Sequence, residues 1–362
     1  MKRTICIILA LIMLLIPASV FADDGAAKTE LIKLSYEDAY NKMKESDTWT
    51  LLQLNNKADR ASLESIRQKT KNKTGGIEDK DAELRYSYAK DIVDLNVTAR
   101  ENALNLEVFE KYYSLNYKED SLKTSQENVA TAKRSLEIAQ KKYKLGTASK
   151  SDVLAAEIDY NQALNNLTSA ENSLADAKMS FNIYLGYDID QQIELTDIAE
   201  EVALPEITLE EAENLALTNR LDVKRDTYLW AAAEMDYYHA KLTTAGGSAE
   251  GINAYISYTK QKIEHDQAED TLKKDVRSKY NAMHEAYNAL QLQKQNVTKA
   301  EESLTIAQKR YETGLNTLAD LTKAENSVYS AKLSLSQCLY NYNLAVQKFN
   351  YCYGIGIQAV SL

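Results

Sequence analysis

Apolar residues recur at every seventh position along two long stretches of the chain. Val108, Leu115, Leu122, Val129, Leu136 and Tyr143 form one row, and Val276, Met283, Leu290, Val297, Leu304 and Tyr311 form the other. Seven-residue spacing marks helices that pack as coiled coils. Neither Pro nor Gly interrupts Asp81 to Leu145, so the pattern predicts one helix of roughly 95 Å at about 1.5 Å per residue. A shorter helix of roughly 37 residues follows. In it Val153, Tyr160, Leu167, Leu174 and Phe181 alternate with Ala156, Ala163, Ala170, Ala177 and Tyr184. Its later counterpart sets Leu321, Val328, Leu335, Tyr342 and Phe349 against Ala324, Ala331, Cys338, Ala345 and Cys352. Large residues facing small ones let helices approach closely.

The two stretches are copies. The segment "AQKKYKLGTASKSDVLAAE" at Ala139 to Glu157 returns without a gap at Ala307 to Glu325 as "AQKRYETGLNTLADLTKAE". At the same offset Tyr112 matches Tyr280, Phe181 matches Phe349 and Gly186 matches Gly354. The chain is thus an internal duplication, with repeats at 35–186 and 208–356 joined by an acidic linker at 187–207 that contains Pro205. Each repeat opens on a capping box, Ser35 with Asp38 and Thr208 with Glu211. Glycines place the turns: Gly75 and Gly76, Gly246 and Gly247, Gly146 and Gly314, Gly186 and Gly354. Three helices per repeat are expected. Within the shared motif, Gly146 and Gly314 stop a helix; Ser149 with Asp152, and Thr317 with Asp320, restart one. The motif is the tip of an antiparallel helical hairpin, and two tips are expected to project from the rest.

Composition narrows the class. Only two Pro and eleven Gly among 362 residues, with 27% charged residues, imply long uninterrupted elements. Lys2 and Arg3, an apolar run from Ile5 to Val20 and the small-residue site ending at Ala22 read as a signal peptide, 1–22, so an exported protein is expected. No Cys follows the apolar run for a lipid anchor, and no later stretch has the length of a spanning helix. A net charge of -10 with scattered basic residues disfavours nucleic acid. His239, His265 and His284 have no partners at ligand spacing, so neither a metal nor another cofactor is expected. A triad requires a buried, oriented His that two-helix rods rarely supply, and no enzyme is expected. Cys338 and Cys352 are fourteen residues apart on one helix, about 21 Å and too far for a disulfide.

The capping starts "LSYEDAY" and "ITLEEAENLAL", the mid-helix "LEVFEKYYSL" and "DVRSKYNAM", the two tip motifs and the closing "FNIYLGYDI" and "FNYCYGIGI" resemble the TolC family of outer-membrane efflux proteins over nearly the whole chain after the signal peptide. The resemblance implies an all-α fold of long antiparallel coiled-coil hairpins in two tandem repeats, the protomer of a homotrimeric α-barrel. It implies tips that dock to a periplasmic-type adaptor, or membrane fusion protein, joined to an inner-membrane pump. The docking positions carried over are Gly146, Thr147, Ser149, Asp152, Gly314, Asn316, Thr317 and Asp320. It also implies a pore constriction at Tyr311 and Asp320, with Lys323 standing where some members carry a further Asp.

One departure matters. The family places two long strands of a β-barrel between the first and second helix of each repeat, each needing about 9 to 11 residues of alternating character. Here those segments read "KTKNKTGGIEDKDAEL" and "AKLTTAGGSAEGINAYISYTKQ", the first charged throughout and the second offering only a weak alternation from Ile252 to Tyr258. The barrel strands are expected to be missing or vestigial, in a cell-envelope protein that fits either the surface of a single-membrane organism or a soluble tube extending an efflux or secretion assembly outward. The functional expectation is an exit duct of an efflux or type I-like secretion system that passes small molecules or peptides. The competing reading is a coiled-coil scaffold of the envelope without transport.

Overall fold

A computed structural model describes residues 31–71, 75–244 and 247–362. The expected signal peptide at 1–22 and Gly246 lie outside them. Among the described residues each repeat contains four helices, not three. The first repeat runs α1 (Tyr36–Met43), α2 (Asp47–Lys71), α3 (Ile77–Lys144) and α4 (Lys150–Leu185); the second runs α5 (Leu209–Asn219), α6 (Leu221–Thr243), α7 (Ala249–Glu312) and α8 (Leu318–Cys352). The predicted long and third helices are α3 with α4, and α7 with α8. The additional helices arise because the first helix of each repeat breaks without Gly or Pro. In the first repeat Ser46 caps a new helix through the N–H of Trp49, 3.3 Å away. In the second, Arg220 alone is extended (φ -65, ψ 135). Its guanidinium is held by Asp222 at 2.5 Å and Asp275 at 2.8 Å.

Where the resemblance places membrane strands, the described residues belong to the ends of α2 and α3 and of α6 and α7, apart from short turns, and none is in a strand. The segment Ile252 to Tyr258 lies within α7. Among the described residues the only strands are β1 (Ile32–Leu34) and β2 (Ile193–Leu195), which pair in parallel. No helix among those residues is long and apolar enough to cross a membrane.

The cores repeat as the helices do. In the first, Ala39, Val108, Leu115 and Phe181 are buried together; in the second, Ala212, Val276, Met283 and Phe349 take the matching places. The heptad rows of α3 and α7 therefore face their own hairpin partners, α4 and α8, while α3 and α8 also pack against each other and join the repeats.

Two irregular segments stitch the repeats together. The 187–207 segment is a strap held from both sides. Asn116 of α3 donates to the Asp197 carbonyl and accepts from Ala199 N–H. Asn343 of α8 likewise donates to the Glu200 carbonyl and accepts from Val202 N–H. The buried Tyr112 donates to the Leu34 carbonyl and Tyr342 to that of Val202, both at 2.9 Å. The C-terminal tail crosses back to the first repeat. Asn96 of α3 donates to the Val360 carbonyl at 2.7 Å and accepts from its N–H at 2.8 Å, and Tyr88 donates to the Ser361 carbonyl. Of the cysteines, Cys338 is half-buried and Cys352 is buried; burial pushes the Cys352 thiol up to about 12.

Candidate functional site: the paired hairpin tips

Both tips are built by the same local chemistry. At the first, Gly146 adopts φ +73 and the Thr147 N–H reaches back to the Lys142 carbonyl at 2.9 Å. At the second, Gly314 adopts φ +79 and the Leu315 N–H reaches the Arg310 carbonyl at 2.8 Å. This left-handed stop satisfies carbonyls that a helix end leaves open. The restart is a closed capping box in each case. The Asp152 N–H donates to the Ser149 hydroxyl at 3.1 Å and the Asp152 carboxylate accepts from Ser149 N–H at 2.8 Å. Thr317 and Asp320 repeat this at 3.2 and 3.0 Å. Hydrogen bonds from Ser149 and from Thr317 hold the Asp152 and Asp320 carboxyls below the ordinary carboxylate range. Gly146, Thr147, Ser149, Gly314, Thr317 and Asp320 are exposed, and Asp152 and Asn316 half-exposed.

Each tip also presents a leucine that the sequence reading passed over. Leu145 before the first glycine and Leu315 after the second are each 78% exposed. An apolar side chain beside a turn glycine, where polar residues are usual, is the sequence signal that marks them. Around them stand Lys141, Lys142, Lys144, Lys309 and Arg310 in the last turns of α3 and α7. Cations there complement the negative end of the helix dipole.

Behind the tips the hairpins are joined by a small packet of Ala139, Ala156, Ala307, Tyr311, Leu318 and Leu321 from all four helices. Tyr311 is only 5% exposed, whereas its repeat counterpart Tyr143 is 47% exposed. Lys142 of α3 lies 3.9 Å from the centre of the Tyr311 ring and also donates to its backbone carbonyl. Within the protomer, Tyr311 thus occupies the seam between the hairpins and not an open face.

One turn deeper, Glu325 of α8 is buried, though its repeat counterpart Glu157 is exposed. It accepts from the Ser135 hydroxyl of α3 at 2.6 Å. Burial pushes its carboxyl up to about 7, opposed by the Ser135 bond and reinforced by Asp159 of α4. Thr322 of α8 in turn donates to Asp159 at 3.0 Å. Among the described residues no cluster of His, Cys, Asp or Glu is gathered as metal ligands.

The profile of the outer membrane efflux protein family matches residues 87–186 and 251–350, each stretch spanning one long hairpin and its tip. The chain belongs to this family. The efflux-family assignment agrees with the outer membrane protein TolC of Vibrio cholerae, 21% identical over 308 residues that cover 72% of this chain and 70% of the relative. Two solved structures have the same fold. The outer membrane protein VceC of Vibrio cholerae superposes with a TM-score of 0.69 at 13% identity, covering 89% of this chain and 97% of its own. CusC superposes with a TM-score of 0.73 at 12% identity, covering 93% and 96%. As an outer membrane efflux family protein the chain is a non-enzymatic transport component of the cell envelope, and the scaffold reading is not favoured.

Proposed function

We propose that the chain is the protomer of a trimeric helical exit duct whose hairpin tips dock to an adaptor. The observation that carries this reading is the pair of family-matched hairpins, each ending in a rigid, exposed tip of the same construction. Side by side, α3 and α8 form the middle of the protomer, with α4 and α7 flanking them. Both flanks keep apolar residues in solvent: Leu154 and Ile158 on α4, Leu292 and Ile306 on α7. A neighbouring copy covers these when α7 of one protomer lies against α4 of the next. Such a head-to-tail contact closes into a ring.

In this arrangement Leu145 and Leu315 are the apolar anchors for the adaptor, with Thr147, Asn316 and the basic last turns around them. The constriction falls to Asp320 at the mouth, and Tyr311 acts behind it by holding Lys142 across the seam. The expected cargo is a small molecule or peptide passed on from an inner-membrane pump.

The test is the double substitution Leu145→Glu with Leu315→Glu. Both side chains are exposed, so the protein is expected to fold and assemble as before while cells lose at least tenfold in resistance to an exported toxic compound. Unchanged resistance at normal protein levels would remove the tips from the docking role.

A further inference from the structure

The end of the protomer remote from the tips is a second four-helix layer. Asp59 of α2 pairs with Arg100 of α3 at 2.7 Å. Tyr88 of α3 stacks on Tyr228 of α6 with ring centres 4.0 Å apart, and Trp230 of α6 stacks on His265 of α7 at 4.6 Å. The order across this layer is therefore α2, α3, α6, α7, and its two edges are α2 and α7.

Both edges are amphipathic on the wrong side for a protein that ends there. Helix α2 carries two rows at three-and-four spacing. Leu52, Asn56, Asp59, Leu63 and Ile66 are buried or half-buried, with Asn56 and Asp59 bonded to α3. Leu51, Leu54, Ala58 and Ala61 form the second row and are all exposed, the leucines by 59 and 57%. On α7, Ile252, Ile256 and Ile263 share one face and are 51, 58 and 51% exposed. A helix with a single partner needs one apolar stripe, and a second stripe calls for a second partner.

The last turn of α2 carries Lys69 and Lys71, and the apolar row of α7 continues past Ile263 to Asp266 and Asp270. Asp266 is paired with Lys262 of α7 itself at 2.8 Å, and Glu264 and Glu269 likewise pair with Lys260 and Lys273, so charge contributes little across these edges beside the two apolar rows. Helix α7 also runs unbroken from Ala249 to Glu312, so the flank that meets a neighbouring copy near the tips continues straight into this layer.

We propose that these distal helices close with those of two further copies of the chain into a helical collar, the outer face of α7 in one protomer seated on the outer face of α2 in the next. This rests on the trimeric duct reading and deepens it. The collar occupies the place where the family resemblance puts membrane strands, so that the tube is helical from end to end.

The test uses amide hydrogen exchange on the full mature chain in detergent-free buffer, with oligomeric state followed in parallel. Within one protomer α3 and α6 separate α7 from α2. Ile256→Glu is therefore expected to speed exchange in α2, residues 47–71, at least tenfold while the tip-side contacts keep the trimer together. Leu54→Glu is expected to do the same to residues 249–263 of α7. A wild-type trimer in which neither substitution reaches the other helix would overturn the collar and leave the duct standing. A monomeric wild type would overturn both. Protection of the two faces that appears only on adding phosphatidylethanolamine and phosphatidylglycerol vesicles would replace the neighbouring copy with a lipid surface and also overturn the collar.

Discussion

Replacing Asn96 by leucine is expected to lower the stability of the protein by about 2–4 kcal/mol and to release its C-terminal tail, because each buried backbone group left without a partner costs about 1–3 kcal/mol. Asn96 is fully buried and satisfies both the N–H and the C=O of Val360, itself 8% exposed. Leucine fills a similar volume, so the loss comes from these two hydrogen bonds and from a third that Asn96 donates to Asp59 at 3.2 Å, and not from a cavity. If the tail escapes to water to recover them, it uncovers Ile92 and Leu221, both 1% exposed and packed in the same cluster as Val360. Denaturant unfolding measures the first effect and limited proteolysis of residues 353–362 the second. An unchanged unfolding midpoint with a protease-resistant tail would mean that the clamp contributes nothing.

Glu325→Gln is expected to act in the opposite direction, with a gain that grows as the pH rises from about 4.5 to about 7 and is level above that. The folded-state pKa of Glu325, about 7, lies above the ordinary value of 4.5. For an acid shifted this way, the seam is at full strength below about pH 4.5 and weakens as the pH rises through about 7. At pH 8 the buried carboxylate costs up to about 3 kcal/mol, from about 1.4 kcal/mol per pKa unit. Glutamine keeps a partner for Ser135 and removes the charge beside Asp159, so it should gain most of that energy at pH 8 and almost none at pH 4. The capping carboxylates Asp152 and Asp320, held low by their caps, contribute with the opposite sign and weaken only as acid protonates them. Unfolding curves of both proteins from pH 4 to pH 9 separate the two effects. A constant difference across that range would show that Glu325 does not titrate in the seam.

How much of this was legible in the sequence depended on whether the signal was local. The long helices follow from rows such as Val276, Met283 and Leu290, all fully buried, because a heptad row reports its own packing. The tips follow from Gly146, Ser149 and Asp152 because stop, cap and box lie within seven residues. The break at Arg220 was hidden: no Gly or Pro marks it, and its guanidinium is held by Asp275, far along the chain, as well as by the neighbouring Asp222. Asn96, Asn116 and Asn343 were hidden for the same reason. Each is an ordinary polar residue in a helical run until a distant segment returns to bond it. Tyr143 and Tyr311 show the limit most plainly. The duplication makes them equivalent, yet one is half in water and the other closes a seam, because the repeats pack against each other asymmetrically. The same asymmetry buries Glu325 and exposes Glu157.

The claim on which the rest depends is that copies of this chain assemble into a tube. Its most direct test is the molar mass of residues 23–362 by light scattering in detergent-free buffer. The expected result is three chains per particle, stable on dilution. A protein that stays monomeric at every concentration tested would contradict the duct.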